Sequence, residues 1–501
     1  MDPGTSSKET NLDVAIIGGG LAGISCALAL ADSGLRIAVF ERGRALGGRA
    51  GSFTEPTSGT TIDIGPHIFL SEYRNMLDML RPLGTESEVV WQTDRFINLL
   101  DGPHRIPMRV HPLPAPLHLL PSLLRVGGLS MKDKASNARI TWLAMRAHEQ
   151  HRLHLDDISA LDLLREYGVS ERLQRWFWAT ATLALLNVPL HECSAAALLR
   201  MYAQLIGTSG YRSGFATKPL ADLFVPAATS QLRKQGVHIE PGIEVVRLHA
   251  TDNRVQAIEL SDGRHLTTRA CVATVPPAEL RALLKHSGMT NTQWDQRLRS
   301  FEPCPYISTY LWFDRKITNE RFWGRVWSPT DLNCDFYDLS NIRTDIDNHR
   351  SLIASNCIYC EAHQHLSDDD VVSRTLAELI EFEPSARNAR LVHAVVNRIP
   401  MAIPCPKPGT ETARLGAATN VNGFFLAGDW TNTHMPSCME SAVYSGRIAA
   451  ECILRGQKCR HSAAIPPPQP TGFVKLAQRF PPRKQPLVAR FENASSVRTR
   501  P

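Results

Sequence analysis

The chain contains no run of about 18 uninterrupted apolar residues, so a bilayer-spanning helix is not expected. Its opening residues, MDPGTSSKETN, carry acids and no apolar core, which argues against a signal peptide. Eleven cysteines without such a leader read as reduced thiols of a cytoplasmic protein. Metal-ligand spacing is also missing. Cys357-Ile358-Tyr359-Cys360 has C-x-x-C spacing, yet no second pair and no His pair lies nearby, so no metal site is expected. Acids are scarce only at the C-terminal end, where nine Lys or Arg between Lys458 and Pro501 face the single acid Glu492. The net charge of +6 therefore belongs to this tail, which also holds Pro466 to Pro468, Pro470, Pro481, Pro482 and Pro486. Residues 457–501 read as a largely disordered extension, either merely solvated or drawn to anionic lipid or an acidic partner. No recognition motif accompanies the charge, so nucleic acid is not an expected partner. With 43% hydrophobic and 21% charged residues over 501 positions, the rest is expected to fold as two or three structural domains.

What is present is concentrated in Asp13 to Arg49. An apolar run, Leu12 to Ile17, reads as a buried parallel strand leading into Gly18, Gly20 and Gly23 in G-x-G-x-x-G spacing. Helical periodicity resumes at Leu21, so the N–H groups of the first turn, with Leu21 and Ala22, would face a pyrophosphate. A second strand, Arg36 to Phe40, ends at Glu41-Arg42. The Glu41 carboxylate can accept both ribose hydroxyls and would repel a 2′-phosphate, which suits the ADP half of FAD or NAD. The next element, Leu46-Gly47-Gly48-Arg49, points to FAD: its glycines admit backbone to the cofactor and Arg49 can reach the phosphates.

The C-terminal part supplies an independent match. Phe424 to Leu426 reads as a short buried strand ending in Gly428-Asp429, and Met439-Glu440-Ser441-Ala442 open a helix. In flavoproteins of the glutathione-reductase type such an acid holds a ribityl hydroxyl, and the helix N-terminus faces the flavin pyrimidine edge. No second strand, glycine and helix unit for NADPH is seen, so electrons are expected to pass to or from an external donor or acceptor.

In this order the motifs resemble the flavin amine oxidase and phytoene desaturase superfamily across roughly residues 12 to 455. Ile62 to Leu70, Leu185 to Pro189 with Cys193-Ser194-Ala195, and Gly428-Asp429 with Met435-Pro436 and Met439 to Val443 are closest to hydroxysqualene dehydroxylases. The Asp63-x-Gly65-Pro66 run instead resembles bacterial carotenoid desaturases, and Ser437-Cys438 replaces an Ala-Thr pair of both groups. The resemblance implies an α/β fold of the amine oxidase type, with a Rossmann-like, glutathione-reductase-type FAD domain interleaved with a mixed α+β substrate domain. It assigns 12–90, 216–284 and 413–456 to the FAD domain and 91–215 and 285–412 to the substrate domain. It further implies non-covalent FAD contacts from Gly65, Pro66, His67 and Ile68 and from the backbone of Val245.

The expected substrate is a long polyisoprenoid, with reductive dehydroxylation of hydroxysqualene as the leading reaction and phytoene or carotene desaturation as the alternative. Either needs a proton moved at the chain, and His67 is the candidate proton donor. The same fold would also suit a flavin amine oxidase, with Trp430 as one wall of an amine cage, or a non-enzymatic prenyl-lipid escort. Val110 to Leu129, leucine-rich with four prolines and only Arg125 charged, reads either as a peripheral membrane contact at the inner face, opening a tunnel to the flavin, or as a broken core segment. Arg172 to Leu186 reads as a helix apolar enough to line a hydrocarbon cavity.

Overall fold

The structure, a computed structural model, describes residues 11–102, 104–289, 291–456 and 463–482. Leu12–Ile17 forms a strand buried along its whole length. Burial on both faces requires neighbours on both edges and helices above and below. The strand runs parallel to Ile37–Glu41 on one edge and to His265–Ala273 on the other. His238–Pro241 lies outside Ile37–Glu41, and Phe424–Leu426 runs parallel to His265–Ala273. Two antiparallel strands, Val245–Thr251 and Arg254–Leu260, complete this sheet. Three stretches far apart in sequence therefore build one sheet.

Helix Leu21–Leu30 follows the first strand and packs along helix Met439–Gly456. Gly446 makes this close crossing feasible, because a Cβ there would stand 2.2 Å from the Ala22 carbonyl oxygen. Helix Met439–Gly456 is thereby locked beside the first one, which brings residues more than 400 positions apart to the same site.

A second, seven-stranded sheet runs in the order Leu391–Pro404, Pro303–Phe313, Leu352–Ile358, Asp335–Asp338, Phe322–Arg325, Ile97–Asp101 and His104–Met108. Directly opposed residues share a face, so register defines rows across it. One row reads Asn397, Ser308, Asn356, Asp335, Gly324 and Leu99. Helices between 120 and 207 cover one end of the molecule, where Asn137 accepts a hydrogen bond from Trp178 Nε1 (3.0 Å) and donates one to the Tyr202 hydroxyl (2.9 Å).

Three expectations change here. The tail is not disordered throughout: residues 463–482 fold back, with helix Gly472–Ala477 and a Phe473 N–H to Ala115 carbonyl bond of 2.9 Å. Its prolines fix an extended path, while Val474 and Ala477 supply enough apolar surface to dock. Residues 457–462 and 483–501 lie outside the described residues. Second, Val110 to Leu129 forms turns and a short helix, Leu120–Arg125, that bury Ala115, His118, Val126 and Leu129 as a broken core segment would and expose Leu113, Leu117, Leu120 and Leu124, and none of its residues lines the cavity described below. Third, Arg172 to Leu186 is not one regular helix. Gln174–Ala179 is wound as a π-helix, which turns Trp176 and Trp178 into the core and leaves Thr180, Leu183, Ala184 and Leu185 for the cavity.

Candidate functional site

A continuous cavity of about 1320 Å³ runs from the edge of the first sheet to the face of the second. It exceeds the roughly 300–1,000 Å³ of ordinary ligand pockets, so it has room for a large cofactor and a second molecule. All the residues expected to hold the cofactor line it except Gly23, Glu440 and Ser441.

At one end lies the glycine turn. Gly18 has φ +105°, a left-handed conformation in which a side chain would be strained, and it swings the backbone into helix Leu21–Leu30. That helix begins at an extended Gly20 with no side-chain cap and no acid in its first turn. Its leading N–H groups are therefore left for an anionic ligand. Gly23 lies behind the turn, where a Cβ would stand 2.0 Å from the Gly18 carbonyl oxygen, so its role is close packing. Glu41 is fixed at the end of its strand by the Gly19 and Gly43 N–H groups, each 2.7 Å from one carboxylate oxygen. Val245, at a register irregularity against Arg254–Leu260, lines the same end.

Further along, Arg49 makes a bidentate pair with Asp429, Nη2 to Oδ1 at 2.6 Å and Nη1 to Oδ2 at 3.0 Å. Arg414 braces Asp429 from behind by donating to its carbonyl at 2.9 Å. Glu440 does something other than expected. Its carboxylate accepts from Asn75 N (3.0 Å), Asn75 Nδ2 (2.7 Å) and Met76 N (2.9 Å), so it ties down the start of helix Arg74–Leu80 instead of reaching the cavity. Ser441 likewise bonds Thr433 and leaves the cavity wall to Met439 and Ala442. Unspent helix N–H groups, a pre-oriented ribose acid and an arginine within the cavity fit FAD. Bound there, the flavin would exchange hydride with a carbon held against its ring.

The turn carrying Asp63 and His67 lies between the two sheets. Asp63 Oδ1 accepts from Ser52 Oγ (2.6 Å) and Leu220 N (2.8 Å), so it is a structural anchor. His67 Nδ1 donates to the Gly65 carbonyl at 2.7 Å. Burial lowers its basicity below the ordinary histidine range, with Asp63 opposing and Arg49 reinforcing that effect. A neutral ring whose one proton is tied to a carbonyl is a poor acid, which removes the ground for His67 as proton donor.

The second sheet supplies what the sequence did not reveal. Gly65 rests on its polar row: a Cβ there would meet Ser308 Oγ at 3.0 Å and Asn356 Oδ1 at 3.8 Å. Ser308 Oγ donates to Asn356 Oδ1 at 2.7 Å. The Asn356 backbone N–H reaches Asp335 Oδ1 at 3.2 Å and its side chain bonds the same carboxyl. Tyr337 donates its hydroxyl to Asp335 Oδ2 at 3.0 Å. Burial pushes the Asp335 carboxyl up to about 7, despite these donors. The one available sequence signal was an acid inside the aromatic strand segment Asp335-Phe336-Tyr337-Asp338. Elsewhere the wall is mostly apolar, from Leu183, Leu185, Phe322, Val326, Ile358 and Ile399. Trp430 is not part of it. Its indole is 1% exposed, donates to the Val275 carbonyl at 3.0 Å and packs on Phe301, so it offers no wall of an amine cage.

The family described as flavin containing amine oxidoreductase matches residues 21–454. The chain is 27% identical over 464 residues to the 15-cis-phytoene desaturase of Synechococcus elongatus, covering 89% of this chain and 96% of that protein. The chloroplastic and chromoplastic 15-cis-phytoene desaturase of Capsicum annuum is 26% identical over 457 residues, covering 89% and 78%. Among solved structures, wild-type putrescine oxidase bound to putrescine superposes with a TM-score of 0.69 at 16% identity, covering 89% of this chain and 99% of that one. Reduced UDP-galactopyranose mutase superposes at 0.65 and 15% identity, covering 91% and 98%. At these identities the two structures speak to the fold alone.

Proposed function

The chain belongs to the flavin-containing amine oxidoreductase family and is an FAD-dependent oxidoreductase, and from that premise we propose that it desaturates a long polyisoprenoid of the carotene-precursor class. The observation that carries this reading is the continuity of the cavity. The space that begins at Glu41 and the glycine turn continues past Gly65 into a chamber walled by aliphatic and aromatic side chains. Such a chamber stabilises a hydrocarbon through burial, about 25 cal/mol per Å² of apolar surface, and offers a soluble amine little. The phytoene desaturase relatives, aligned over nearly nine-tenths of the chain, support the same substrate class.

In this reading Leu183, Leu185, Phe322 and Ile399 exclude water and hold the chain extended, and Arg49 and Glu41 fix the cofactor. Among the described residues no nicotinamide-type second unit accompanies the site, so an external acceptor completes the cycle. One observation favours a second reaction on the same class of chain. Burial raises the Asp335 carboxyl to about 7, so near neutral pH a substantial share of it carries the proton that a leaving hydroxyl requires. Reductive dehydroxylation of hydroxysqualene, fed by an external donor, is therefore the second reading.

Surface chemistry bears on substrate supply. Among the described residues no helix is long and apolar enough to cross a membrane. Leu113, Leu117, Leu120, Leu124, Trp142, Phe473, Leu476 and Phe480 are nonetheless exposed on segments that pack on each other. We read them as a peripheral contact with the lipid that dissolves the substrate.

The test is anaerobic incubation of flavin-loaded protein with phytoene in vesicles, following flavin bleaching and product mass. Bleaching with loss of two hydrogens per turnover supports desaturation. Squalene formed from hydroxysqualene by chemically reduced protein, with no reaction of phytoene, moves the assignment to the second reading. Inertness toward both overturns the polyisoprenoid assignment.

A further inference from the structure

We propose that Asp335 is the residue that takes the proton from the isoprenoid chain, held for that task by a hydrogen-bonded row that links it to the Gly65 turn. The inference rests on the desaturation reading above. Its starting point is a contradiction in the chamber wall: a carboxyl is an expensive group to place beside a hydrocarbon unless it is used.

The geometry places this carboxyl with care. Asp335 lies in the middle of the second sheet, with Asn356 opposite it on one neighbouring strand and Gly324 on the other. Gly324 contributes no side chain, and Ile97 and Leu99 pack into the space above it, so the carboxyl has an apolar neighbour on that side; both Asp335 and Gly324 line the cavity. Tyr337 and Asn356 occupy its other faces and fix its orientation. Asn356 is in turn held by Ser308, Ser308 stands under Gly65, and Asn397 Nδ2 bonds the Ile64 carbonyl. The row thus connects the turn beside the cofactor cradle to one carboxyl in the chamber.

Asp335 is the titratable member of the polar row, and two neutral rings that also line the cavity, His67 and His363, are the competing bases. Cys334, Tyr306 and Tyr337 feel its charge, and burial keeps all three protonated. Arg325, on the adjoining strand, commits its guanidinium to Asp331, Glu378 and Glu381. Asp331 is occupied by that pairing. His67, on the turn packed against the row, is neutral with its proton bound to Gly65. His363 follows the end of strand Leu352–Ile358, off the row.

The step balances without a further reagent. One C–H of the chain leaves as hydride with both bonding electrons to the flavin. The vicinal C–H leaves as a proton to the Asp335 carboxylate, and its electron pair becomes the second bond between the two carbons. The chain is oxidised by two electrons, the flavin is reduced by two, and Asp335 ends as the acid.

The test is single-turnover flavin bleaching with phytoene, across pH, in wild type, Asp335→Asn and Tyr337→Phe, with flavin content and absorbance checked first. Wild type is expected to gain rate as pH rises through about 7. The Asn variant, which cannot accept a proton, should bind flavin normally and lose about 10²- to 10⁴-fold in rate with little change in KM. Loss of the Tyr337 hydroxyl should move the limb to higher pH while leaving the plateau within a few-fold. Infrared difference spectra between acid and alkaline solution, taken without substrate, should show a protonated carboxyl band that titrates in wild type and is missing from Asp335→Asn. An Asn variant with the wild-type rate and pH limb overturns the assignment of Asp335. An inert wild type overturns the desaturation reading itself, and the assignment falls with it.

Discussion

Arg49 and Asp429 meet as a two-pronged ion pair across 380 residues of sequence, with Asp429 almost fully buried and Arg49 opening to the cavity. Planar, bidentate pairing of this kind fixes direction as well as charge. The pair joins the second glycine loop to the C-terminal block at the level of the expected ribityl and pyrophosphate groups. Asp429→Ala would leave Arg49 without its counter-charge and Arg49→Ala would leave a buried carboxylate unpaired. Each is expected to cost about 3–5 kcal/mol in the assembly of the site. Flavin retained after gel filtration should fall by more than ten-fold in both. Arg49→Lys, which cannot make the fork, should be intermediate.

Close packing at the cradle gives a second prediction. A methyl group on Gly23 would stand 2.0 Å from the Gly18 carbonyl oxygen, and one on Gly446 2.2 Å from that of Ala22. Both obstacles are backbone and cannot rotate away. Gly23→Ala and Gly446→Ala should therefore push helix Leu21–Leu30 off its loop or its partner helix, lowering flavin affinity at least ten-fold and the melting temperature by several degrees. Gly127→Ala, where nothing lies within 4 Å, is the control expected to change neither.

These two sites differ in how visible they are from sequence. The glycine turn, Glu41 and Gly428-Asp429 are legible because each does its work through local backbone geometry that fixes residue type at short spacing. The strands Leu12–Ile17 and Arg254–Leu260 were legible for the same reason, as unbroken or alternating apolar runs. Glu440 misled because a helix-opening acid looks the same whether it faces a cofactor or caps a neighbouring helix 365 residues away. Asp335 was missed because its setting is made by register across four strands, and register between distant strands leaves no mark at short range. The docked helix Gly472–Ala477 was hidden by its proline-rich, basic surroundings, since only two of its residues, Val474 and Ala477, are buried and the rest of its anchoring is backbone bonding to Ala115 and Gly207.

A third prediction concerns the seam between the two sheets and the helical layer. Arg200 on helix Ala195–Gly207 is 2% exposed and pairs with Glu411, which also holds Arg414 at 2.9 Å behind Asp429. Glu411→Ala would leave the buried Arg414 without a carboxylate and Arg200 with Glu149 as its remaining partner. The expected loss is about 3–5 kcal/mol, whereas joint replacement of Arg414 and Glu411 by methionine, which leaves Arg200 on Glu149, should recover part of it. Chemical denaturation of the full chain measures both, and equal losses in the single and double variants would show that the pair contributes through packing alone.

The exposed apolar face predicts vesicle binding. Leu120 and Phe480 lie on the two segments that build it and are 43% and 67% exposed. Each side chain buried in lipid contributes about 1.5–3 kcal/mol. Leu120→Glu combined with Phe480→Glu should lower partitioning into anionic vesicles at least ten-fold without changing flavin content. Sedimentation at matched salt reads the difference, and unchanged partitioning would assign membrane binding to another face.

The last prediction separates folding from catalysis at Asp335. The carboxyl titrates near 4 in an unfolded chain and about 7 in the folded one, chiefly because burial disfavours its charge. The folded state therefore holds the proton more tightly than the unfolded state. Stability from this group is full below about pH 4 and is lost as pH rises through about 7. Asparagine has no proton to lose. Relative to wild type, Asp335→Asn should gain on the order of 4 kcal/mol in unfolding free energy between about pH 4 and pH 8. Urea unfolding of both proteins across that range measures it. The residue whose removal slows turnover is thus expected to make the fold more tolerant of alkali, an opposition that a purely structural carboxyl, ionised and hydrogen-bonded, would reverse. Parallel pH curves for the two proteins would mean that Asp335 holds its proton no more tightly in the folded chain than in the unfolded one, which would overturn the burial-raised carboxyl.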